Sequence, residues 1–261
     1  EQALRVGRRC NYAQFESESE DAMDTTEFSG HTSREFNEEL EALRSKVLEM
    51  GGIVERQIEG AVDSVVKGDS DLGLEIADND EKVNKLEVEI DSECARILAL
   101  RAPTAVDLRL ILAVIKIITD LERMGDEAKR VGIIGSHLAS IERPANSYRE
   151  VKNLGAQVKV MVRGALDSFA RGDEQAAARV KKLDRGIDEE FDAVSRQSVT
   201  YMLEDPRTIS RVLDVMWVVR ALERIGDHAK NVCEHVVYMS AGQIVAHGDI
   251  DAVAASVSRP R

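Results

Sequence analysis

Aromatic residues are scarce in this chain of 261 residues, at 4% of the sequence, although 43% of its residues are hydrophobic. The core must therefore be built from Leu, Ile, Val and Ala, a composition that favours helices over sheets. Prolines number only 4. The length corresponds to one or two domains.

Cysteines are also few, and their spacing excludes two classes of protein. The three of them, Cys10, Cys94 and Cys233, form no CxxC pair. An odd, widely spaced set predicts neither a disulfide framework nor a thiolate zinc site. We interpret them as reduced thiols of a cytoplasmic protein, mostly buried.

Long apolar runs and an excess of basic charge are both missing. The longest apolar stretch, residues 110–118, is interrupted by Lys116 and is far shorter than the roughly 18 residues needed to span a bilayer. The first 15 residues carry charge but no apolar segment of a secretory signal. With 48 acidic against 35 basic residues, the net charge is −13. We therefore expect no membrane span and no nucleic-acid partner.

The beginning of the chain differs from the rest. Residues 16–27 hold six acids and no bases, which predicts a disordered leader over residues 1–30. Met23 begins a plausible start, so we interpret residues 1–22 as non-native. We likewise expect residues 244–261 to be a flexible tail.

From Phe36 onward, apolar residues recur at steps of three and four, which predicts helices. The first helix should end at Gly68, which can adopt a left-handed cap, and Asp69 can cap the start of the second helix. Pro103 must end or kink the second helix, and the third runs from about residue 106 to residue 141.

The same pattern then occurs a second time. Residues 60–69 (GAVDSVVKGD) match residues 164–173 (GALDSFARGD), and residues 121–129 (LERMGDEAK) match residues 222–230 (LERIGDHAK) at all but two positions. Repeats of this length indicate a duplicated supersecondary unit. The sequence therefore predicts an all-α fold of two tandem antiparallel three-helix bundles, residues 31–143 and 144–243. Its pseudo-two-fold repetition favours a homodimer.

Acidic residues at helical spacing mark the second and third helix of each predicted bundle. Two pairs, Glu122 with Asp126 and Glu223 with Asp227, are four residues apart and repel each other if both are charged. Two further stripes are Asp80, Asn84, Glu87 and Asp91 in the first bundle and Asp184, Asp188 and Asp192 in the second. Facing stripes would form an oxygen-rich site for Mg²⁺, Mn²⁺, Ca²⁺ or iron. The alternative is solvated surface, neutralised by Arg123, Lys129, Arg130, Arg224 and Lys230.

The repeated Leu-Glu-Arg-Met/Ile-Gly-Asp motif, at residues 121–126 and 222–227, resembles the signature of the PhoU family. Residues 50–55 (MGGIVE), 102–109 (APTAVDLR) and 200–207 (TYMLEDPR) are also similar to the family's pattern. The resemblance extends from about residue 31 to residue 242. It implies two three-helix bundles, in agreement with the periodicity.

The resemblance also implies metal ions, divalent or iron, bound by E/DxxxD motifs. In this sequence the corresponding residues are Glu87, Asp91, Glu122, Asp126, Asp188, Asp192, Glu223 and Asp227. Phe191 stands where the register would place a counterpart of Glu87, so Asp188 and Asp192 should bind differently. The implied role is negative regulation of the phosphate-starvation response, by a cytoplasmic adaptor between the Pst phosphate transporter and the PhoR sensor kinase.

Two other readings of the same residues stay open. One is a hydrolase or oxidase that uses the carboxylate clusters as a metal centre, although the sequence has neither the Glu-x-x-His pattern of di-iron oxidases nor a Walker loop. The other is a metal-free helical adaptor. We favour the non-enzymatic, metal-binding regulator. We interpret His228 as a solvent-side or pairing residue, Trp217 as core or a buried interface anchor, and Arg109 and Arg207 as candidate phosphate contacts.

Overall fold

A computed structural model describes residues 25–142 and 148–242. These residues form eight α-helices and one short 3₁₀ turn, and no strand occurs within those two ranges. The α-helices are α1 (Thr25–Lys67), α2 (Ser70–Asn79), α3 (Glu81–Arg101), α4 (Ala105–Ala139), α5 (Arg149–Arg171), α6 (Glu174–Lys181), α7 (Asp184–Glu204) and α8 (Ile209–Ala241). The 3₁₀ turn is Pro206–Thr208.

Residues 1–37 and residues 38–261 are separate compact units. The first contains the start of α1, and every contact described below lies within the second. The predicted leader and tail fall largely outside the described residues, as do Cys10 and Met23. The predicted domain boundaries therefore stay predictions.

The predicted all-α fold of two tandem antiparallel three-helix bundles is confirmed. Helices α1 to α4 form the first bundle, and α5 to α8 form the second. The predicted helix ends at Gly68 and Pro103 are also confirmed, since α1 ends at Lys67 and α3 ends at Arg101. One detail of the prediction is wrong: the second helix of each bundle is two helices, α2 with α3 and α6 with α7.

The turn before each divided helix follows the predicted chemistry in both repeats. Gly68 has φ 70° and Gly172 has φ 62°, the left-handed conformation that glycine adopts without strain. Asp69 then caps α2 by accepting a hydrogen bond from the backbone N–H of Leu72 at 3.0 Å. Asp173 caps α6 through Ala176 at 2.8 Å. The duplicated Gly-Asp pair therefore builds the same turn twice.

The break in each second helix places an aspartate in the protein interior. Asp80 lies at the junction of α2 and α3 and is 1% exposed. Asp184 begins α7 and is also buried. Lys129 of α4 donates a hydrogen bond to Asp80 at 3.3 Å, and Lys230 of α8 donates one to Asp184. Hydrophobic periodicity continues across both junctions, which is why it could not reveal the breaks.

The third helices, α4 and α8, pack on each other along an extensive contact. The helices α2 and α3 pack on α4, and α6 and α7 pack on α5 and α8. Ion pairs from Arg163 and Lys159 of α5 to Glu55 and Glu59 of α1 connect the first helices. The acidic stripes of α3 and α7 thus lie beside α4 and α8, within their own bundles.

Three smaller predictions can be compared with the structure. Cys94 and Cys233 are buried free thiols, as predicted. None of the described helices is long and apolar enough to cross a bilayer. The interpretation of Trp217 as a core residue is wrong, because its side chain lies on the outer face of α8 and the residue is 59% exposed.

Candidate metal centres

The first carboxylate cluster joins Glu87 and Asp91 of α3 to Glu122 and Asp126 of α4. Burial raises the pKa of Glu87, and the negative charges of Asp91 and Asp126 raise it further. The pKa of Glu122 is likewise raised by burial, then by Asp126, Glu87 and Asp80. Carboxylates that shift each other's pKa across two helices are close in space. The packing of α3 on α4 therefore brings the two predicted stripes together.

The second cluster joins Asp188 and Asp192 of α7 to Glu223 and Asp227 of α8. Burial raises the pKa of Asp188, and the neighbouring aspartates add to the effect while a lysine opposes it. Burial also raises the pKa of Glu223, against an opposing arginine. The two repeats therefore build corresponding acidic clusters.

Asp80 and Asp184 belong to the predicted acidic stripes but not to the eight predicted ligands, and both are buried. Oδ2 of Asp80 contacts Lys129, but Oδ1 is buried without a hydrogen-bond partner. Oδ1 also lies 3.2 Å from the position that a Cβ on Gly125 would take, so the glycine leaves room beside it. The helical spacing of Asp80 with Glu87, and of Asp184 with Asp188, is visible in the sequence. The burial of the two aspartates is not visible there, because it depends on the break in each helix.

Most of the bases that were predicted to neutralise the acidic stripes form ion pairs with other acids. Lys129 and Lys230 contact Asp80 and Asp184, while Arg130 and Arg224 pair with the buried Glu127. Lys230 also lies 3.7 Å from Asp227. No ion pair joins a base to the four acids of the first cluster in the described part of the chain. The alternative of a neutralised solvated surface thus fits the first cluster poorly.

The donor set suits a hard cation, since all eight predicted ligands offer carboxylate oxygen. Two buried oxygens have no hydrogen-bond partner, Oδ1 of Asp80 near the first cluster and Oε2 of Glu223 within the second. Across residues 25–142 and 148–242, however, no three ligand side chains are gathered closely enough to hold an ion. The residues therefore fit a hard cation in chemical type, but their side chains as placed do not form a coordination shell.

Mutual repulsion in the metal-free first cluster should cost stability. An acid whose pKa is raised by folding stabilises the fold when protonated, and this contribution is lost as the pH rises through the raised pKa. Glu87→Gln should therefore raise the free energy of unfolding at pH 7 and lose this advantage towards pH 4. Urea denaturation of chelator-treated protein measures both values.

Glu49→Gln, a change at an exposed glutamate of α1, is the matched control and should have no comparable effect. If Glu87→Gln were no more stable than the unsubstituted chain at pH 7, the destabilisation of charged Glu87 by burial and by its acidic neighbours would be refuted.

A second polar group, missed by the sequence reasoning, lies in the contact between α4 and α8. The carboxylate of Asp120 has Nδ1 of His228 at 2.9 Å, Nδ2 of Asn231 at 3.1 Å and Nε2 of His235 at 3.2 Å. Burial opposes ionisation, but the hydrogen bonds from these three residues lower the pKa of Asp120 to about 2. Of the two alternatives predicted for His228, a solvent-side or a pairing residue, the structure shows the pairing residue, which is 8% exposed.

The two arginines that were candidate phosphate contacts are engaged within the protein. Arg207 forms two side-chain hydrogen bonds with Asp205, at 2.9 and 3.0 Å. Arg109 donates to the backbone oxygen of Met239 at 3.3 Å and packs beside Gly242. Neither geometry adds support for a phosphate site.

Comparison with known families places both repeats in one family. The family model described as the PhoU domain matches residues 47–134 and again residues 151–236. These ranges contain α3 and most of α4 in the first copy, and α7 and most of α8 in the second. The two matches therefore include every residue of both carboxylate clusters.

Curated relatives agree along most of the chain. A phosphate-specific transport system accessory protein PhoU homolog of Pseudomonas putida is 47% identical over 227 residues, covering 87% of this chain and 89% of that protein. The phosphate-specific transport system accessory protein PhoU of Escherichia coli strain K12 is 39% identical over 229 residues, covering 86% and 93%.

Solved structures show the same fold. The crystal structure of PhoU from Pseudomonas aeruginosa has a TM-score of 0.78 and 47% identity, covering 80% of this chain and 100% of that one. The structure of the phosphate transport system regulatory protein PhoU from Streptococcus pneumoniae has a TM-score of 0.75 and 26% identity, covering 80% and 99%.

Proposed function

The chain belongs to the PhoU family, and we therefore propose that it is an accessory protein of a phosphate-specific transport system. The observation that carries the proposal is the duplicated domain match over residues 47–134 and 151–236, together with the names of relatives 39–47% identical to this chain. The relatives are named as accessory or regulatory proteins of transport, which supports a role without catalysis. A soluble helical adaptor in the cytoplasm fits this role.

The finer role we propose is negative regulation of the phosphate-starvation response. In it, the protein acts as an adaptor between the phosphate transporter and the PhoR sensor kinase, and works as a homodimer. The two bundles are joined through α4 and α8, and in this proposal each bundle contacts a different partner. The surplus of negative charge supports partners that are proteins rather than nucleic acids.

The carboxylate clusters belong to this proposal as metal sites. A divalent or iron ion would neutralise acids that repel each other and would hold α3 against α4, and α7 against α8. The supporting observations are the convergence of the stripes and the raised pKa values of Glu87, Glu122, Asp188 and Glu223. We infer that the clamped helix pairs form the surface that a partner recognises.

The double variant Glu122→Ala/Asp126→Ala tests the metal site. We expect it to lose more than about 100-fold in metal affinity at the first cluster, since even the loss of groups behind the ligands typically costs about 10- to 100-fold. Elemental analysis of protein purified without an affinity metal measures retention. The control is Asp71→Ala/Glu75→Ala, which removes two exposed acids at the same spacing on α2.

The adaptor role is tested by affinity capture of the full chain from cells grown with and without phosphate. We expect transporter and kinase components in the phosphate-replete sample, and fewer of them with the Glu122→Ala/Asp126→Ala variant. If elemental analysis found no metal in the native protein or in its variants, the result would favour a metal-free adaptor. Capture of neither component under either condition would contradict the adaptor role itself.

A further inference from the structure

A cavity of about 320 Å³ opens at one end of the second bundle, where α5 begins, α7 ends and α8 begins. Apolar parts of its wall come from Tyr201, Val212 and Val215. Two large apolar side chains near the same helix ends, those of Leu203 and Ile209, are 79% and 40% exposed. A concave apolar surface of this size is typical of a binding site.

The corresponding end of the first bundle is filled by a turn of α1. Leu40 and Leu43 on this turn are 7% and 0% exposed. Beside them, Oε2 of Glu39 accepts a hydrogen bond from Nε of Arg101 at 2.9 Å, and Oε1 accepts one from Nη2 of Arg96 at 3.0 Å. Both arginines belong to α3. This turn of α1 therefore covers the end of α3 with two leucines and fixes it with one charge.

The second repeat does not supply the two leucines. The offset of 104 residues between the matching GAVDS and GALDS segments places Pro144 and Ser147 at the two leucine positions. The same offset places Tyr201 of α7 where α3 has Ile97. Ile97 is 0% exposed, whereas Tyr201 is 38% exposed. The second bundle thus leaves open a surface that the first bundle covers with its own helix.

The charge at this end is reversed between the two repeats. An acid stands at the position of Arg101, whichever way the repeats are aligned: Asp205 by the offset of 104, and Glu204 when counted back from the proline that follows each helix. Both acids line the cavity, together with Glu150. A helix that covered this end as α1 covers α3 would therefore need a base where α1 has its glutamate.

Glu204 is the acid that is available to an incoming base. Asp205 already accepts a hydrogen bond from Nε of Arg207 at 2.9 Å. Arg211, the base in the cavity lining, donates to the backbone oxygen of Glu142 at 3.2 Å. Glu204 is exposed and forms no ion pair within residues 25–142 and 148–242.

We propose that the cavity is the docking site for an amphipathic helix of a partner protein. The helix carries a lysine or arginine directly before the first of two apolar side chains that are three residues apart. This is the pattern of Glu39, Leu40 and Leu43 with the sign of the charge reversed. The inference rests on the proposed adaptor role and specifies the surface and the chemistry of the partner. Apolar anchors at helical spacing supply the affinity, and the charge selects the partner.

A peptide copied from α1 tests this pattern on the full chain. The probe is residues 34–48 with Glu39→Lys, labelled with a fluorophore and stapled on the face opposite the leucines, since so short a helix is marginal in water. By fluorescence anisotropy, it should bind about fivefold more tightly than the same peptide without the substitution, as expected for one exposed ion pair. In the Glu204→Lys chain, the preference should reverse. A preference that Glu204→Lys leaves unchanged would overturn the proposed charge contact.

The apolar part of the cavity is tested by Tyr201→Ala. This variant should bind the Glu39→Lys peptide at least about fivefold more weakly, since aromatic anchors at the centre of an interface typically contribute more than about 1 kcal/mol. The matched control is Val160→Ala, at a residue of α5 that is 61% exposed outside the cavity, and it should change binding by less than about twofold. Circular dichroism establishes that both variants are folded. Equal losses in the two variants would overturn the docking site.

Cross-linking in cells identifies the natural occupant. With p-benzoylphenylalanine in place of Tyr201, we expect cross-links to a transporter or kinase segment that has a base directly before two apolar residues three apart. Cross-links to a second copy of this chain, or to its own residues 243–261, would overturn the proposal. Capture of transporter and kinase that Tyr201→Ala leaves unchanged would overturn the docking site but leave the adaptor role intact. Capture of neither by the unsubstituted chain would contradict the adaptor role, on which the inference rests.

Discussion

Asp120→Asn is expected to lower the free energy of unfolding by about 3 kcal/mol at pH 7, since hydrogen bonds to a charged group contribute about 1.5 to 3 kcal/mol and a buried donor left without a partner adds to the cost. The carboxylate is 7% exposed and lies in the contact between α4 and α8. An ionised carboxylate only accepts hydrogen bonds, so His228, Asn231 and His235 all donate to it. An amide would face these donors with only one accepting oxygen. Urea denaturation measures the difference.

The same variant should change how stability depends on pH. Folding lowers the pKa of Asp120 from 3.8 to about 2. An acid with a lowered pKa stabilises the fold fully above its unfolded value, and this contribution disappears as the pH falls through 3.8 towards 2. This contribution of Asp120 to the free energy of unfolding amounts to about 2 kcal/mol. The difference in the free energy of unfolding between the unsubstituted chain and Asp120→Asn should therefore become smaller as the pH falls from 3.8 towards 2.

The control is Asp167→Asn, at an aspartate of α5 that pairs with Arg171 on the surface. Exposed ion pairs contribute about 0 to 1 kcal/mol, so this variant should be nearly neutral. Equal effects of the two substitutions would refute the idea that the buried carboxylate joins the two bundles. If the difference in the free energy of unfolding between the unsubstituted chain and Asp120→Asn did not become smaller in acid, the lowered pKa of Asp120 would be refuted.

Gly132→Ala is expected to lower the free energy of unfolding by about 1 to 2 kcal/mol. A Cβ on Gly132 of α4 would lie 2.6 Å from the backbone oxygen of Gly73 in α2. A backbone oxygen cannot rotate away as a side chain can, so the helices must separate. Overpacking typically costs about 1 to 3 kcal/mol, and the gain in helix propensity, about 1 kcal/mol, offsets only part of it. Thermal and urea denaturation both measure the loss.

Gly52→Ala is the matched control in α1, because a Cβ there would approach only a nitrogen of Arg56, at 3.6 Å. With space available, it should stabilise the protein by up to about 1 kcal/mol. Gly73→Ala should behave like Gly132→Ala, since its Cβ would lie 2.5 Å from the backbone oxygen of Gly132. The double variant should lose less than the sum of the two, as one separation accommodates both methyl groups. If Gly132→Ala were as stable as Gly52→Ala, the close approach would be refuted.

Much of the fold could be predicted because it depends on local chemistry that occurs twice. Gly68 and Gly172 turn the chain, Asp69 and Asp173 cap the next helix, and Pro103 follows the end of α3. The division of the second helices could not be predicted, because apolar spacing continues across Asp80. Only the contact with Lys129 of another helix explains why a charged residue lies buried there.

The candidate site could be predicted in part for the same reason. Glu122 and Asp126 share a helix, so their spacing alone places them on neighbouring turns. The contact of Arg220 with Phe191 joins α8 to α7, and no spacing within either helix reveals it. The group around Asp120 is also invisible in the sequence, because its partners lie 108 to 115 positions further along the chain.

Helix positions, their caps, the duplication and the acidic stripes are properties of short segments, and the amino-acid sequence alone was enough to find them. The tertiary structure decided which stripes face each other, which acids are buried and which bases neutralise them. The physical reason is the distance along the chain over which each effect acts. Helical periodicity and capping involve only a few neighbouring residues. Burial and ion pairing depend on residues far apart in sequence, which approach each other only when α3 packs on α4, α7 on α8, and α4 on α8.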